Sequence, residues 1–145
     1  GVTIGIGHRF SATAGAHGKA IVAFLSHDER ANILKGERLF FHGDASRLDR
    51  ERLEIELNEC REKGFAYDIG ELNPGINAVA APVFNAHEQV AGSLLVIGTF
   101  RETQIATFGA MASETAKQLS QALGADTVKI YSNDNKRKKA LSERL

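Results

Sequence analysis

The segment from Ser11 to Lys19 is the first place where residue types and spacing could do chemistry. It reads SATAGAHGK and ends in Gly-Lys, as a phosphate-binding loop does. It lacks the first glycine at the required spacing, and no Ser or Thr follows the lysine to hold magnesium, so a nucleotide phosphate site is not indicated. Small residues that lead into a helix still expose backbone N–H groups at the positive end of the helix dipole. The segment therefore suits a carboxylate or another acceptor, or close helix–sheet packing, and both can hold together.

His17 is the side chain of this segment best placed to hydrogen-bond a ligand, although an exposed or helix-capping histidine would have the same pattern. The five histidines of the chain show neither H-E-x-x-H nor a close pair spacing. Cys60 is the one cysteine, so it supplies no cysteine cluster for zinc and no internal disulfide. We predict no metal site and no cofactor, and we expect Cys60 to be a small core residue.

Asp68 and Glu71 are the carboxylates closest to a possible site. On one strand they would face opposite sides unless a bulge at Gly70 intervenes, which argues against a paired acid–base site. A single Asp68 that faces a half-apolar cavity would instead anchor a ligand by hydrogen bonds, and the alternative is a solvent-facing strand residue. No serine lies in a nucleophile-elbow pattern. The sequence therefore predicts no catalytic residue and no enzyme.

Composition limits the partners. The 145 residues fit one domain, and Lys plus Arg equals Asp plus Glu at 18 each, so the body of the chain lacks the basic stripe that nucleic-acid binding needs. The basic cluster at 136–139 is typical of a solvated tail. No apolar run approaches the ~20 residues of a membrane span, and there is no signal-peptide pattern. A single cysteine favours the reducing cytoplasm, and a first residue Gly1 in place of Met is typical of a cleaved tag or an excised fragment.

The predicted elements are one strand, three helices, a three-stranded meander and a last helix. Their ranges are strand 2–6; helices 15–25, 26–36 and 49–64; strands 65–72, 76–84 and 90–99; and a helix from 99 to 124. Pro82 marks a bend or an edge position. Residues 94–97 are apolar on both faces and so need cover on both. Because strands and helices are segregated, we predict an α+β sandwich with an antiparallel sheet.

Start and stop signals support these ranges. Capping boxes of the S/T-x-x-E type begin at Ser26 and Thr99, and Asp49 can cap the third helix. Glycines are expected to end three helices, at Gly36, Gly64 and Gly124, and residues 41–47 are a predicted loop. Two predicted apolar sides are Leu53, Leu57 and Cys60 on the third helix, and Ile105, Phe108, Ala112, Ala116, Leu119 and Leu123 on the last.

Four segments in order carry a family resemblance. Ser11 to Ala14 with Gly18 to Ala23 is similar to "HATA-x-GKA-x-LA", and Gly64 to Glu71 is similar to "RGYA-x-D-x-GE". Gly75 to Phe84 is similar to "GI-x-aIAAPVFD", and Leu95 to Gly98 lies at the position of "lsVsGp". Each piece is weak alone, but together, at this spacing, they resemble the IclR-type transcription regulators.

The resemblance implies a C-terminal effector-binding domain of GAF-like α/β fold with an antiparallel sheet flanked by helices. It would span residues 1–125, without its opening helix and strands, and a partly disordered tail would follow over 126–145. The family pairs this domain with an N-terminal winged helix-turn-helix that this chain lacks, so DNA would be met only through that absent part. Members bind small effectors, often carboxylates or aromatic compounds, and work as dimers or tetramers.

The resemblance also implies which residues line the effector cavity. Ala16 and His17 would come from the small-residue loop, Asp68 and Ala78 from two strands, and Leu95 and Ile97 from the last strand. Members that take small hydroxy- or keto-acids have hydroxyl or thiol side chains at the last three positions, which here are apolar. We therefore expect an organic acid that is aromatic or longer-chained. The alternatives are a dimerisation module without a ligand and an enzyme that has borrowed the scaffold.

Overall fold

A computed structural model describes residues 3–35 and 49–144. In these ranges the helices are α1 (Gly15–Ala23), α2 (His27–Lys35), α3 (Arg50–Lys63), α4 (Ile105–Ala122) and α5 (Thr127–Ser142), with a 3₁₀ turn at Glu102–Gln104. The strands are β1 (Ala66–Ile69), β2 (Asn77–Phe84) and β3 (Val90–Gly98). They form one antiparallel sheet in the order β1-β2-β3. The predicted α+β class is therefore confirmed.

The sheet separates two layers of helices. On one face Ala78, Ala80 and Leu95 pack against α1 and α3, where Leu57 is fully buried. On the other face the alternate strand residues pack against α4. Of the apolar run at 94–97, Leu95 packs toward α1 and α3 and Leu94 and Val96 pack toward α4. The expected cover is therefore partial, because Ile97 is 39% exposed.

The helix caps follow the sequence closely. Asp49 accepts backbone hydrogen bonds from Glu51 and Arg52 at the start of α3, and Gly64 ends that helix in a left-handed conformation. At α2, the hydroxyl of Ser26 and the carboxylate of Glu29 form the predicted capping box. The predicted stop at Gly36 and the loop at 41–47 lie outside the described residues.

The predicted strand at residues 2–6 is wrong over its described part. Residues 3–5 have no regular structure, and a turn follows in which the His8 N–H donates to the Gly5 carbonyl at 3.1 Å. Gly7 adopts a φ of 80°, and Ile6 is exposed. Alternation alone does not make a strand, because the backbone also needs a neighbour to pair with and residues 3–6 pair with no described strand.

β1 is shorter than predicted because Gly70 takes a φ of 63° and turns the chain after Ile69. At its other end β1 begins at Ala66, which pairs with Ala80, so β2 pairs with β1 only as far as Ala80. Pro82 lies beyond that point, on a part of β2 that pairs with β3 alone among the described strands. Since β1 does not reach Pro82, no β1 carbonyl lacks a partner because of the missing proline N–H. The predicted edge position of Pro82 is therefore confirmed.

α4 departs from its prediction at both ends. Its cap is not Thr99: the Arg101 N–H donates to the Gln104 side chain at 2.9 Å, two residues later than predicted. Leu119 and Leu123 were expected inward but are 43% and 48% exposed. Ser120 is buried instead, because its hydroxyl accepts the Phe84 N–H at 3.0 Å and so satisfies the end of β2.

Residues 127–142 form α5, where the sequence analysis expected only a partly disordered tail. Gly124 ends α4 at a φ of 92°, as predicted, and a short link leads into α5. The Asp126 side chain accepts the Lys129 N–H at 3.0 Å and so caps α5. The sequence analysis did not predict this cap. None of the described helices is long and apolar enough to cross a membrane.

Candidate ligand-binding site

A cavity of about 480 Å³ lies where the start of α1 meets the sheet. Its lining includes all six residues that the sequence analysis proposed, namely Ala16, His17, Asp68, Ala78, Leu95 and Ile97. The volume falls within the range of small-molecule sites, about 300–1,000 Å³. The structure therefore brings the predicted site residues together around one space.

Strand pairing explains the floor of the cavity. Asp68 lies opposite Ala78, and Ala78 lies opposite Ile97, so the three form one row across the sheet. Leu95 is two residues before Ile97 and shares its face because side chains alternate along a strand. One carboxylate thus lies at the β1 end of a row whose other two members are apolar.

The start of α1 forms the opposite wall. Gly15 begins the helix at a φ of 72°, and Ala14 at the N-cap position makes no side-chain capping bond. A Cβ at Gly18 would lie 2.7 Å from the carbonyl oxygen of Ala12, so this glycine permits the close approach of two backbone segments. The small residues therefore serve close packing, and they also leave the first N–H groups of α1 without a side-chain cap beside the cavity.

His17 presents an unused ring nitrogen. The side chain is half-buried, and its Nε2 is buried without a hydrogen-bond partner among the described residues. The ring of Phe10 packs edge-on against it with centroids 4.6 Å apart. Burial lowers the pKa of His17 below its ordinary value, and the negative charge of Asp68 opposes part of that shift. The imidazole can therefore donate to, or accept from, a ligand that enters the cavity.

The side chain of Asp68 is fixed by a hydrogen bond from the turn that follows β1. The side chain is only 3% exposed, and its Oδ1 accepts the backbone N–H of Glu71 at 2.6 Å. Glu71 does not line the cavity. The two carboxylates therefore diverge, as expected, and they do not form an acid–base pair.

Lys19 forms a buried ionic network behind the cavity wall. It is 1% exposed, and its Nζ donates to Glu56 at 3.0 Å and to Glu71 at 3.1 Å. Arg52 donates to the other oxygen of Glu56 at 2.9 Å. Burial raises the pKa of Glu71, and Lys19 opposes that shift. The sequence analysis did not predict this network. A lysine inside the apolar stretch of α1 was a signal for it, because a buried charge requires partners.

Other residues that close the cavity were also missed by sequence reasoning. They include His8, Phe10, Leu72, Ile76 and Ser93. Ser93 could have been found, because it alternates with Leu95 and Ile97 along β3. The others come from irregular segments, where no periodicity marks the side that faces a cavity. Among the described residues, no three His, Cys, Asp or Glu side chains lie close enough to hold a metal ion.

Comparison with known proteins defines the class. The family described as "Bacterial transcriptional regulator IclR C-terminal" matches residues 2–121. The chain therefore belongs to this family, whose members are transcription regulators and not enzymes, and the predictions of the family and of no enzymatic activity are confirmed.

Particular relatives show how much of a regulator the chain represents. It is 31% identical over 122 residues to the transcriptional regulator XynR of Escherichia coli (strain K12), covering 82% of this chain and 48% of XynR. The chain thus spans about half the length of the curated relatives it matches. Among solved structures, an IclR-type regulator from Alicyclobacillus acidocaldarius has a TM-score of 0.71 at 29% identity, covering 86% of this chain and 50% of that one.

A second solved structure bears on the fold alone. It is the inducer-binding domain of a PobR double mutant from Acinetobacter, in complex with 3-hydroxybenzoic acid. Its TM-score is 0.67 at 19% identity, covering 79% of this chain and 67% of that one. The sheet and helices described above are therefore shared with a domain that holds an aromatic acid.

Proposed function

We propose that residues 1–125 are the effector-binding domain of an IclR-type transcription regulator, and that the 480 Å³ cavity holds an aromatic or longer-chain organic acid. The observation that carries this proposal is the convergence of Ala16, His17, Asp68, Ala78, Leu95 and Ile97 on one cavity. Four of these six side chains are apolar, namely Ala16, Ala78, Leu95 and Ile97. Such a lining favours a hydrocarbon body and disfavours a two- or three-carbon acid.

The cavity offers different chemistry at its two ends. At the α1 end, free backbone N–H groups and the positive end of the helix dipole suit a carboxylate. At the β1 end, the carboxylate of Asp68 suits a hydroxyl donor and would repel an acid group. A hydroxy-substituted aromatic acid presents both groups, and the 3-hydroxybenzoic acid held by the PobR domain supports this ligand class.

The proposed mechanism is thermodynamic linkage. A ligand that binds one conformation or subunit arrangement better than another shifts the population toward it, and operator affinity changes with that shift. A typical coupling free energy is ~1–3 kcal/mol. We propose that the regulator acts in the cytoplasm as a dimer or tetramer and contacts DNA through a domain outside this chain.

A thermal-shift screen of the 145-residue chain against aliphatic and aromatic acids tests the proposal. A ligand at a hundredfold excess over its Kd adds ~2.7 kcal/mol of stability, or roughly 5–10 °C in Tm for a domain of this size. We expect aromatic acids to raise Tm and acetate not to. Asp68→Ala and His17→Ala should remove the shift, whereas Asp28→Ala and His87→Ala, at exposed positions, should keep it. Equal shifts in all four variants would contradict binding in this cavity.

A dimerisation module without a ligand is the second candidate. The observation in its favour is exposed apolar surface on the last two helices, where Met111 is 61% and Val128 is 77% exposed. Self-association through that surface would appear in sedimentation velocity as a concentration-dependent dimer that Met111→Lys weakens. This candidate is supported if such a dimer forms and no acid in the screen shifts Tm.

A further inference from the structure

The cavity has an unusual charge balance for a site that takes an acid. Its ionisable lining residues, among those described, are His8, His17 and Asp68. Among the described residues, no lysine or arginine lines it, and the buried cation Lys19 is already paired with Glu56 and Glu71. An entering carboxylate would therefore meet one negative side chain and no permanent positive one.

The desolvation of an anion in such a place is costly unless a positive charge appears with it. The helix dipole at α1 supplies only a partial charge, equivalent to about half a unit. A proton taken up from solvent can supply a full one. The candidates to receive it are the ionisable groups of the lining.

His17 is better placed to receive the proton than Asp68. The Oδ1 of Asp68 already accepts the Glu71 N–H at 2.6 Å, so this oxygen has a hydrogen-bond partner before a ligand enters. The Nε2 of His17 is buried and has no hydrogen-bond partner among the described residues. An imidazolium at this position can donate a hydrogen bond from Nε2 to the ligand. The negative charge of Asp68 stabilises it at the same time.

We propose that the cavity binds an organic acid together with one proton, which the imidazole of His17 takes up, so that affinity rises as pH falls. This inference rests on the proposed function and adds its regulation. The groups that face His17 are consistent with it: Asp68 on β1, and His8 beyond the intervening Phe10 ring. Behind it on α1, the charge of Lys19 is balanced by its carboxylate partners.

The sign of the pH dependence follows from the two states of the site. In the empty site, burial lowers the pKa of His17 below 6.5, so the ring is neutral at pH 7. In the complex, the bound anion raises that pKa. Between the two values binding takes up a proton, so the Kd weakens by up to about tenfold per pH unit. Above the higher value the ring is neutral in both states and the Kd no longer changes with pH. Below the lower value the ring is protonated in both states and the dependence levels off.

Calorimetric titration with 3-hydroxybenzoate at pH 5.5 to 8.5, in buffers of different ionisation enthalpy, counts the protons. The acid ionises near pH ~4, so it stays an anion throughout. We expect an uptake that approaches one proton per ligand, with the pH dependence described above. The neutral isostere 3-hydroxybenzamide, used as a matched ligand, should bind without proton uptake.

Two conservative variants identify the group. His17→Gln keeps a polar nitrogen but cannot titrate, and we expect it to abolish both the proton uptake and the pH dependence of Kd. Asp68→Asn should keep the uptake. Circular dichroism establishes that each variant is folded, and the comparison of acid with amide on the unaltered chain gives an answer even where a variant does not fold.

The outcomes separate this inference from the function on which it rests. Saturable binding with the same Kd across the pH range, or an uptake that His17→Gln retains, whether Asp68 or His8 then receives the proton, overturns the proton linkage through His17 and leaves the effector site standing. No saturable binding of 3-hydroxybenzoate or of any other acid in the screen contradicts the proposed function, and the inference fails with it.

Discussion

At the scale of single residues, burial decides which side chains are available for chemistry. Cys60 and His17 lie on neighbouring helices, yet their situations differ. Cys60 is 1% exposed within the apolar layer under α3, whereas His17 lines a cavity with a free ring nitrogen. The first is therefore a core residue, and the second is a candidate ligand contact.

Cys60 should be unreactive in the folded protein. Burial raises the pKa of its thiol to about 12, and only the thiolate reacts with disulfide reagents. We expect a chromogenic disulfide reagent at pH 7.5 to label the native chain far more slowly than the chain in denaturant. Rapid stoichiometric labelling without denaturant would show that the packing around α3 is wrong.

Gly18→Ala should destabilise the fold. The added Cβ would lie 2.7 Å from the Ala12 carbonyl oxygen and 2.8 Å from that of Ser11, so one backbone segment must move. We expect a loss of about 1–3 kcal/mol in the free energy of unfolding, measured by urea denaturation. Gly92→Ala is the matched control, because a Cβ at Gly92 meets nothing within 4 Å. Equal stability of the two variants would contradict the close approach at α1.

The predicted site residues, which lie on strands or in a motif, line one cavity, and their role as ligand contacts stays a prediction. Asp68, Ala78 and Ile97 were each assigned separately, and antiparallel pairing places them in one row. Phe10 and Leu72 could not be found in this way, because they reach the cavity from irregular segments. Their position depends on how the chain turns at glycines, which a pattern of apolar residues does not encode.

At the scale of elements, one ionic network ties three parts of the fold together. Lys19 belongs to α1, Glu56 to α3, and Glu71 to the turn after β1. The backbone N–H of Glu71 also donates to Asp68. The network therefore contacts both walls of the cavity, α1 through Lys19 and the strand floor through Asp68.

Lys19→Met should destabilise the domain strongly at neutral pH. It leaves Glu56 and Glu71, which are 12% and 10% exposed, without their buried cation. Breaking one partner of a buried ion pair costs about 3–5 kcal/mol, which urea denaturation at pH 7 would measure. Lys63→Met is the control, since Lys63 makes an exposed pair with Glu59 that should contribute less than about 0.5 kcal/mol.

The same variant has a defined pH dependence. The folded pKa of Glu71 is already raised by burial, and it rises further without Lys19. The folded state then binds more protons than the unfolded state, so the deficit is small below the unfolded pKa near 4.5 and grows as pH rises. We expect Lys19→Met to approach the unaltered chain at pH 5. A deficit that stayed constant between pH 5 and pH 7 would contradict the network.

Elements with local signals were predicted from sequence, and elements that depend on distant partners were not. The cap at Asp49 and the stop at Gly64 are local hydrogen-bond devices, and both are present. The strand at 2–6 failed because strands require a partner that alternation cannot supply. Leu119 was misplaced because Ser120 turns inward to satisfy the Phe84 N–H, a long-range contact.

At the scale of the whole molecule, the sheet separates a ligand-facing layer from a packed layer. α4 packs against one face, whereas α1 and α3 pack against the other and leave the cavity between the start of α1 and the strands. The chain spans about half the length of XynR, and in the proposed function ligand binding in this cavity alters DNA binding by another part of the regulator. Linkage through a shift of subunits or domains is the proposed route.

The most direct test of the central claim is a methyl and amide NMR titration of the chain with 3-hydroxybenzoate. We expect saturable shifts at the methyl groups of Ala78, Leu95 and Ile97 and at the amides of Ala16 and His17, with small changes on α5. That result would place an aromatic acid in the cavity that the sequence predicted. Saturable shifts confined to other surfaces, or none up to millimolar acid in a folded chain, would contradict the effector site proposed for this domain.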